Sequence, residues 1–180
     1  SAIFLVSDGV NSVVVKQALP KLNVEDDWYA DISRNENEQK FLQFLNNIKS
    51  DATTKLLYSN TEYSFFVMEF LDEGFKNWKK QMLNGVFDQH IAKKAAELLA
   101  MIHQKSWDNE HLKKKFNKAD NFYELRTEPY LVTTGERHPE LRDLFFEEVK
   151  RLKSHREAIV HGDFSPKNIM VKNDRVVLLD

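Results

Sequence analysis

The segment 161–180 restricts the fold more than any other part of the sequence, because a loop with polar side chains is followed at once by apolar residues typical of strands. Within this segment, Pro166 disfavours a helical backbone at Ser165. The step from Asp163 to Asn168 is therefore predicted to be a loop. It places two oxygen-bearing side chains close to the start of a strand.

The loop is followed by a predicted β-hairpin, in which two apolar runs surround a turn at residues 169–171, 173–174 and 176–179. A two-residue turn fixes the register, so Asn168 is expected opposite Leu179. Asp180 then lies diagonal to Asn168, roughly 7–8 Å away or less. Asn168 and Asp180, with Asp163 on the adjoining loop, would suit Mg²⁺, an ion that takes few protein oxygens and completes its shell with phosphate and water.

Phosphoryl transfer uses these parts: an Asp accepts or orients the attacking hydroxyl, while an Asn and a second Asp hold magnesium against the nucleotide phosphates. In protein kinases the corresponding sequence is His-Arg-Asp, followed after four residues by Asn. A second Asp follows at the end of the next hairpin. The order and spacing here are the same, with Gly162 in place of Arg. The chain resembles the aminoglycoside phosphotransferase and choline kinase group, whose loops commonly read His-Gly-Asp with a following Asn.

The resemblance implies a small-molecule kinase that moves the γ-phosphate of ATP to a hydroxyl of a sugar, amino alcohol or aminoglycoside. Asp163 is then the catalytic base or hydroxyl-orienting group, and Asn168 and Asp180 are the Mg²⁺ ligands. His161 braces the loop through hydrogen bonds. The expected cofactors are ATP and Mg²⁺, and the expected partner is a small-molecule hydroxyl substrate.

In the same family, a nucleotide-binding lysine ends an apolar strand and pairs with a helix glutamate, and Lys16 after three valines fits this position. Glu38 shares a helical face with the apolar stripe that includes Phe41, whereas Glu36 falls on another face, where a capping box with Ser33 is available. A carboxylate on a buried face is costly unless it is paired. Lys16 and Glu38 are therefore predicted to pair. The resemblance implies that the ammonium of Lys16, held by Glu38, contacts the α- and β-phosphates of ATP.

Residues 66–71 resemble the family's strand and hinge, which hold adenine through backbone groups. Glu69 and Leu71 are the expected contacts.

The remaining pattern predicts an α+β, protein-kinase-like fold with a strand-rich N-lobe (1–70) and a mostly helical C-lobe (71–180). Expected strands lie at 2–6, 12–19, 56–59, 63–70 and 158–160, and expected helices lie at 33–48, after Asp88 and near Pro139. Asp88 is the expected cap of its helix, whose predicted buried stripe is Ile91, Ala92, Ala95, Leu98, Leu99 and Ile102. The sequence starts and stops inside apolar strand patterns. An incomplete fold, truncated at both ends and inactive as a fragment, is therefore expected.

Composition excludes several classes of protein. The chain has no cysteine, so disulfides and thiolate metal sites are excluded. A formal net charge of −2 predicts no nucleic-acid partner, and no apolar run approaches the roughly 20 residues that span a bilayer. No membrane association is expected, and the cytoplasm is the expected location.

Three alternatives stay open. A catalytically silent kinase-like binding or scaffold module would keep the fold without the transfer. A protein kinase is less favoured, because Gly162 replaces the usual Arg. The loop could also be a plain turn rich in Asp and Asn, with His161 as a hydrogen-bonded core histidine.

Overall fold

The computed structural model describes residues 1–21, 29, 31–117 and 119–179. Two compact units are present: Ser1–Leu19, Ile32–Lys105 and Asp163–Asp180 form the first, and Pro20–Asp31 and Ser106–Gly162 form the second. The predicted boundary at residue 70 falls inside the first unit, so the division into N-lobe and C-lobe stays a prediction.

The first unit contains an antiparallel sheet formed, in spatial order, by β1 (Ala2–Ser7), β2 (Ser12–Gln17), β4 (Phe65–Glu69) and β3 (Leu56–Asn60). The predicted strands are confirmed with slightly shifted ends. Asp8 closes the first turn, because its Oδ1 accepts hydrogen bonds from the N–H groups of Val10 and Asn11. In the sheet, Lys16 lies opposite the fully buried Phe66 of β4.

Helix α1 (Arg34–Ile48) lies between β2 and β3 in sequence and buries an apolar stripe that consists of Phe41, Leu42, Phe44 and Leu45. The helix is confirmed, but the predicted capping box is wrong. Ser33 has helical backbone angles (φ −62°, ψ −12°) and its side chain makes no capping hydrogen bond. The first turn already begins at Ile32, whose carbonyl accepts from Asn35 N–H at 3.0 Å, so Ser33 is one residue too far inside to act as a cap.

A second sheet in the first unit is formed by β5 (Lys76–Asn77), β6 (Ile169–Lys172) and β7 (Arg175–Leu178). The predicted hairpin register is confirmed: Lys172 pairs with Arg175, and beyond the last ladder pair Leu179 N–H donates to Asn168 O at 2.8 Å. The turn uses a left-handed backbone at Asn173 (φ +52°), which Asn tolerates better than most residues.

The buried Thr53 fixes this hairpin to the segment that follows α1. Its hydroxyl donates to Leu178 O at 2.6 Å, and Leu178 N–H donates to Ala52 O at 2.8 Å. Both side chains are fully buried.

The first unit also contains α2 (Trp78–Leu83) and α3 (Gln89–Ser106), except for the last residue of α3, Ser106, which belongs to the second unit. The predicted cap of α3 is confirmed, because Asp88 Oδ1 accepts from His90 N–H at 2.8 Å. Of the predicted stripe, Ile91, Ala95, Leu98 and Ile102 are buried. Ala92 is exposed, because it lies one residue, about 100° around the helix, from that stripe.

The second unit is helical: α4 (Glu110–Lys115), α5 (Ala119–Phe122), a π-helical segment (Tyr123–Val132), α6 (Thr133–Arg137), a 3₁₀ turn (Pro139–Leu141) and α7 (Arg142–Ser154). The π-helical segment passes through Pro129, which lacks an N–H and would break an ordinary α-helix. The predicted strand at 158–160 is wrong. Ile159 N–H donates instead to the buried Ser106 side chain at 3.0 Å.

In the ranges given above, no helix combines the length and the apolar character needed to cross a membrane.

Candidate active site

The loop between Asp163 and Asn168 belongs to the first unit. Ser165 is extended (φ −147°, ψ 159°), as expected for a residue before proline, and Pro166–Asn168 form a 3₁₀ turn. Asn168 N–H closes this turn on Ser165 O at 3.0 Å. The two polar side chains at the ends of the loop are therefore held by a short, well-defined backbone.

Asn168 is tied to the start of the loop by its own amide. Its Nδ2 donates to the backbone carbonyl of Asp163 at 3.0 Å, which leaves Oδ1 as the remaining polar atom of the side chain. The oxygen of a neutral amide is a suitable ligand for Mg²⁺. Asn168 therefore fits the predicted role of an ion ligand.

The second predicted ion ligand, Asp180, lies outside the described residues. In the described part of the chain, no three His, Asp or Glu side chains gather in a cluster that could hold a metal ion. The predicted pair of ion ligands, Asn168 and Asp180, therefore stays a prediction.

Asp163 has an ion-pair partner that the sequence analysis missed. Lys167 Nζ lies 2.8 Å from Asp163 Oδ2. The sequence offers only an i, i+4 spacing of opposite charges, a signal that predicts an ion pair in an α-helix but not in a loop interrupted by Pro166. The loop is also held from β5, where Asn77 Nδ2 donates to Lys167 O at 2.8 Å.

The predicted ion pair between Lys16 and Glu38 is present in the first unit, with Lys16 Nζ 2.6 Å from Glu38 Oε1. Lys16 is 5% exposed, and the Glu38 side chain is 15% exposed. β2 supplies the lysine and α1 supplies the glutamate, while Glu36 is exposed on another face of the helix. The pair holds a positive charge at a fixed place with little access to water.

Glu69 is the last residue of β4, and Leu71 lies just beyond it. The N–H of Glu69 donates to Lys55 O at 3.0 Å. An adenine bound at 69–71 would therefore use backbone groups other than the N–H of Glu69. Asp72 follows, and the Lys172 ammonium and the Gly74 N–H hold the pKa of its carboxyl below the usual value. A cavity of about 370 Å³ borders this segment, and Glu69 and Leu71 are the predicted site residues among the described residues that line it.

His161 and Gly162 belong to the second unit, which ends at Gly162. Gly162 has φ +78°, a conformation that favours glycine, and an added Cβ would lie 3.5 Å from both Arg126 Nε and Phe122 Cε2. Arg126 Nε also donates to Gly162 O. The backbone conformation thus gives a physical reason for glycine at this position, and the bracing role of His161 stays a prediction.

Comparison with known proteins gives a match to a family model and matches to solved structures, two of which follow. A family model described as the phosphotransferase enzyme family matches residues 2–180, whereas no curated protein sequence matches. Choline kinase LicA from Streptococcus pneumoniae aligns with a TM-score of 0.56 and 16% identity over 99% of this chain and 58% of that chain. The streptomycin–ATP–APH(2″)-IIa ternary complex aligns with a TM-score of 0.51 and 20% identity over 100% of this chain and 65% of that chain.

The chain therefore spans less than two thirds of the length of either solved chain. At these identities the likeness shows the fold. The predicted α+β, kinase-like fold is confirmed.

Proposed function

The chain belongs to the phosphotransferase enzyme family, and from this premise we propose that the protein transfers the γ-phosphate of ATP to a hydroxyl group of a small molecule. Two structurally similar proteins are a choline kinase and a protein in complex with streptomycin and ATP, which supports a small polar acceptor. Sugars, amino alcohols and aminoglycosides are the acceptor classes that we propose.

The single observation that carries the proposal is the hydrogen bond from Asn168 Nδ2 to the Asp163 carbonyl. This bond lies within the loop whose His-Gly-Asp and Asn pattern resembles the catalytic loop of the family. This bond ties the two ends of the loop together, so the Asp163 carboxylate and the Asn168 Oδ1 stand on one rigid backbone. Phosphoryl transfer depends on such positioning more than on covalent chemistry by the protein.

In the proposed mechanism, Asp163 receives the hydroxyl of the acceptor. A carboxylate within about 2.6–3.2 Å of that hydroxyl orients its oxygen toward the γ-phosphorus and accepts its proton as the new P–O bond forms. The carboxylate of Asp163 is 31% exposed, so an acceptor can reach it from solvent.

On the nucleotide side, Lys16 is the proposed contact of the α- and β-phosphates. Glu38 fixes the direction of the ammonium, because the pair is buried and 2.6 Å apart. Backbone groups of Glu69 and Leu71 are the proposed contacts of the adenine.

Asn168 and Asp180 are the proposed ligands of Mg²⁺. When bound, the ion would neutralise charge on the β- and γ-phosphates. The protein's own contribution is to hold the Asn168 Oδ1 in place through the bond that its amide nitrogen makes.

The first prediction tests Asp163 in the complete natural protein. Asp163→Asn keeps the shape of the side chain but removes the proton acceptor, so ATP turnover with hydroxyl acceptors should fall by about 10²–10⁴-fold. Asp174→Asn, in the exposed hairpin turn, is a matched control and should keep parental turnover. The assay measures ADP formation with sugars, amino alcohols and aminoglycosides, and includes peptides to separate a protein kinase. An Asp163→Asn protein as active as the parent would refute the base assignment.

A further inference from the structure

Lys167 has an exposed side chain that touches the proposed catalytic base. Its Nζ lies 2.8 Å from Asp163 Oδ2, with 53% of the lysine side chain and 31% of the aspartate side chain exposed. Exposed ion pairs of this kind add little to stability. The pair can therefore rearrange at little cost when a ligand enters.

The backbone of Lys167 is fixed, in contrast to its side chain. Its carbonyl accepts from Asn77 Nδ2 at 2.8 Å, and the residue lies inside the 3₁₀ turn closed by Asn168 N–H on Ser165 O. Lysine carries three donors on a flexible four-carbon stem. The ammonium can thus swing through a limited region around Asp163 while its Cα stays in place.

That region includes the reacting phosphoryl group if the proposed function holds, and the inference rests on that function. The acceptor oxygen would lie about 2.6–3.2 Å from the Asp163 carboxylate, and the phosphorus about 3–3.5 Å beyond that oxygen. The phosphoryl group is then within about 6–7 Å of a carboxylate that Lys167 already contacts. This distance is within reach of the ammonium after a rotation of the stem.

A positive charge there, in addition to the proposed Mg²⁺, would stabilise the transition state, which spreads negative charge over the three equatorial oxygens of the phosphoryl group. Ser165 offers only a neutral hydroxyl, and its Oγ is buried with no hydrogen-bond partner among the described residues. In the loop segment that belongs to the first unit, 163–168, Lys167 is the cationic residue.

We propose that Lys167 is a further catalytic residue, whose ammonium holds Asp163 before substrates bind and contacts the γ-phosphoryl oxygens during transfer. The bond from the acceptor oxygen to the γ-phosphorus forms as the bond to the β–γ bridging oxygen breaks. The electron pair of the broken bond leaves with ADP, and the hydroxyl proton goes to Asp163. Lys167 exchanges no proton; it only balances charge.

The test compares Lys167→Met and Lys167→Arg in the complete natural protein, with Lys79→Met on the exposed face of α2 as the matched control. Calorimetry measures the affinity for Mg·ADP alone and with aluminium fluoride, a planar mimic of the transferred phosphoryl group. Lys167→Met should bind Mg·ADP within about twofold of the parent but lose at least about tenfold of the gain from aluminium fluoride, and its kcat should fall by about 10²-fold. Lys167→Arg should keep most of the parental affinity gain from aluminium fluoride and most of the parental kcat.

Two results would overturn the inference, and they are distinguishable. If Lys167→Met keeps the parental gain from aluminium fluoride and the parental kcat, Lys167 is not catalytic and the proposed function stands. If the parent neither binds Mg·ADP nor turns over ATP, the proposed function fails and the inference fails with it.

Discussion

At the scale of single residues, the Lys16–Glu38 pair shows how the protein places a charge without gaining much stability from it. Both side chains are largely removed from water, and the desolvation of two charges offsets most of their attraction. Losing one partner is much more costly, by about 3–5 kcal/mol, because the other charge is then buried alone. The value of the pair therefore lies in fixing the position of the lysine ammonium.

This reasoning predicts the effect of Glu38→Gln. The substitution keeps the size of the side chain but leaves the Lys16 charge uncompensated, so both the melting temperature and the affinity for Mg·ADP should fall, the latter by about tenfold or more. Glu36→Gln is the matched control, since Glu36 is exposed two residues earlier in the same helix. Thermal denaturation and calorimetry measure both effects. Equal losses in the two variants would show that the pairing is not what matters.

At the scale of elements, the candidate loop depends on β5 and α2, which lie far from it in sequence. Asn77, the last residue of β5, contacts both α2 and the loop. Its Oδ1 caps α2 by accepting a hydrogen bond from Lys80 N–H at 3.2 Å, and its Nδ2 donates to Lys167 O at 2.8 Å. One amide thus begins a helix and holds the turn that carries Lys167.

The two roles of Asn77 can be separated by Asn77→Asp. Aspartate is as good a helix cap as asparagine, but it has no N–H to donate and would set a carboxylate against the Lys167 carbonyl. We expect kcat to fall by about tenfold or more while the helix content stays parental, and the loss of this solvent-exposed bond should lower the free energy of unfolding by only about 0.5–1.5 kcal/mol. Circular dichroism, denaturant unfolding and ATP turnover measure the three quantities. A variant with parental kcat would show that the bond to Lys167 does not position the loop.

At the scale of the whole molecule, the first unit is assembled from three separate parts of the chain. The contact between Thr53 and Leu178 joins two of these parts, and the proposed nucleotide contacts lie on all three: Lys16, Glu38 with the 69–71 segment, and the loop at 163–168. A ligand that touches all three parts stabilises the assembled state against unfolding.

Nucleotide binding should accordingly raise the melting temperature. At a Mg·ADP concentration of 100 times Kd, the expected stabilisation is about 2.7 kcal/mol, which corresponds to a shift of several degrees. Asp163→Asn should keep this shift, because Asp163 is assigned to the acceptor, whereas Lys16→Met should lose most of it. Differential scanning calorimetry of the complete natural protein provides the measurement. A shift that survives Lys16→Met would place the nucleotide elsewhere.

The sequence by itself determined the features that depend on neighbours along the chain. The hairpin register follows from a two-residue turn, and the Asp88 cap follows from the start of an apolar period, so both could be predicted. The Lys16–Glu38 pair was also predictable, because a carboxylate on a buried helix face requires a partner of opposite charge.

Only the tertiary structure decided the features that depend on contacts between distant segments. The link from Asn77 to Lys167 joins residues 90 positions apart. Residues 158–160 have the composition of a strand. The N–H of Ile159 nevertheless donates to the side chain of Ser106 and not to a neighbouring strand. Local rules state which groups need a partner; long-range packing decides which partner is within reach.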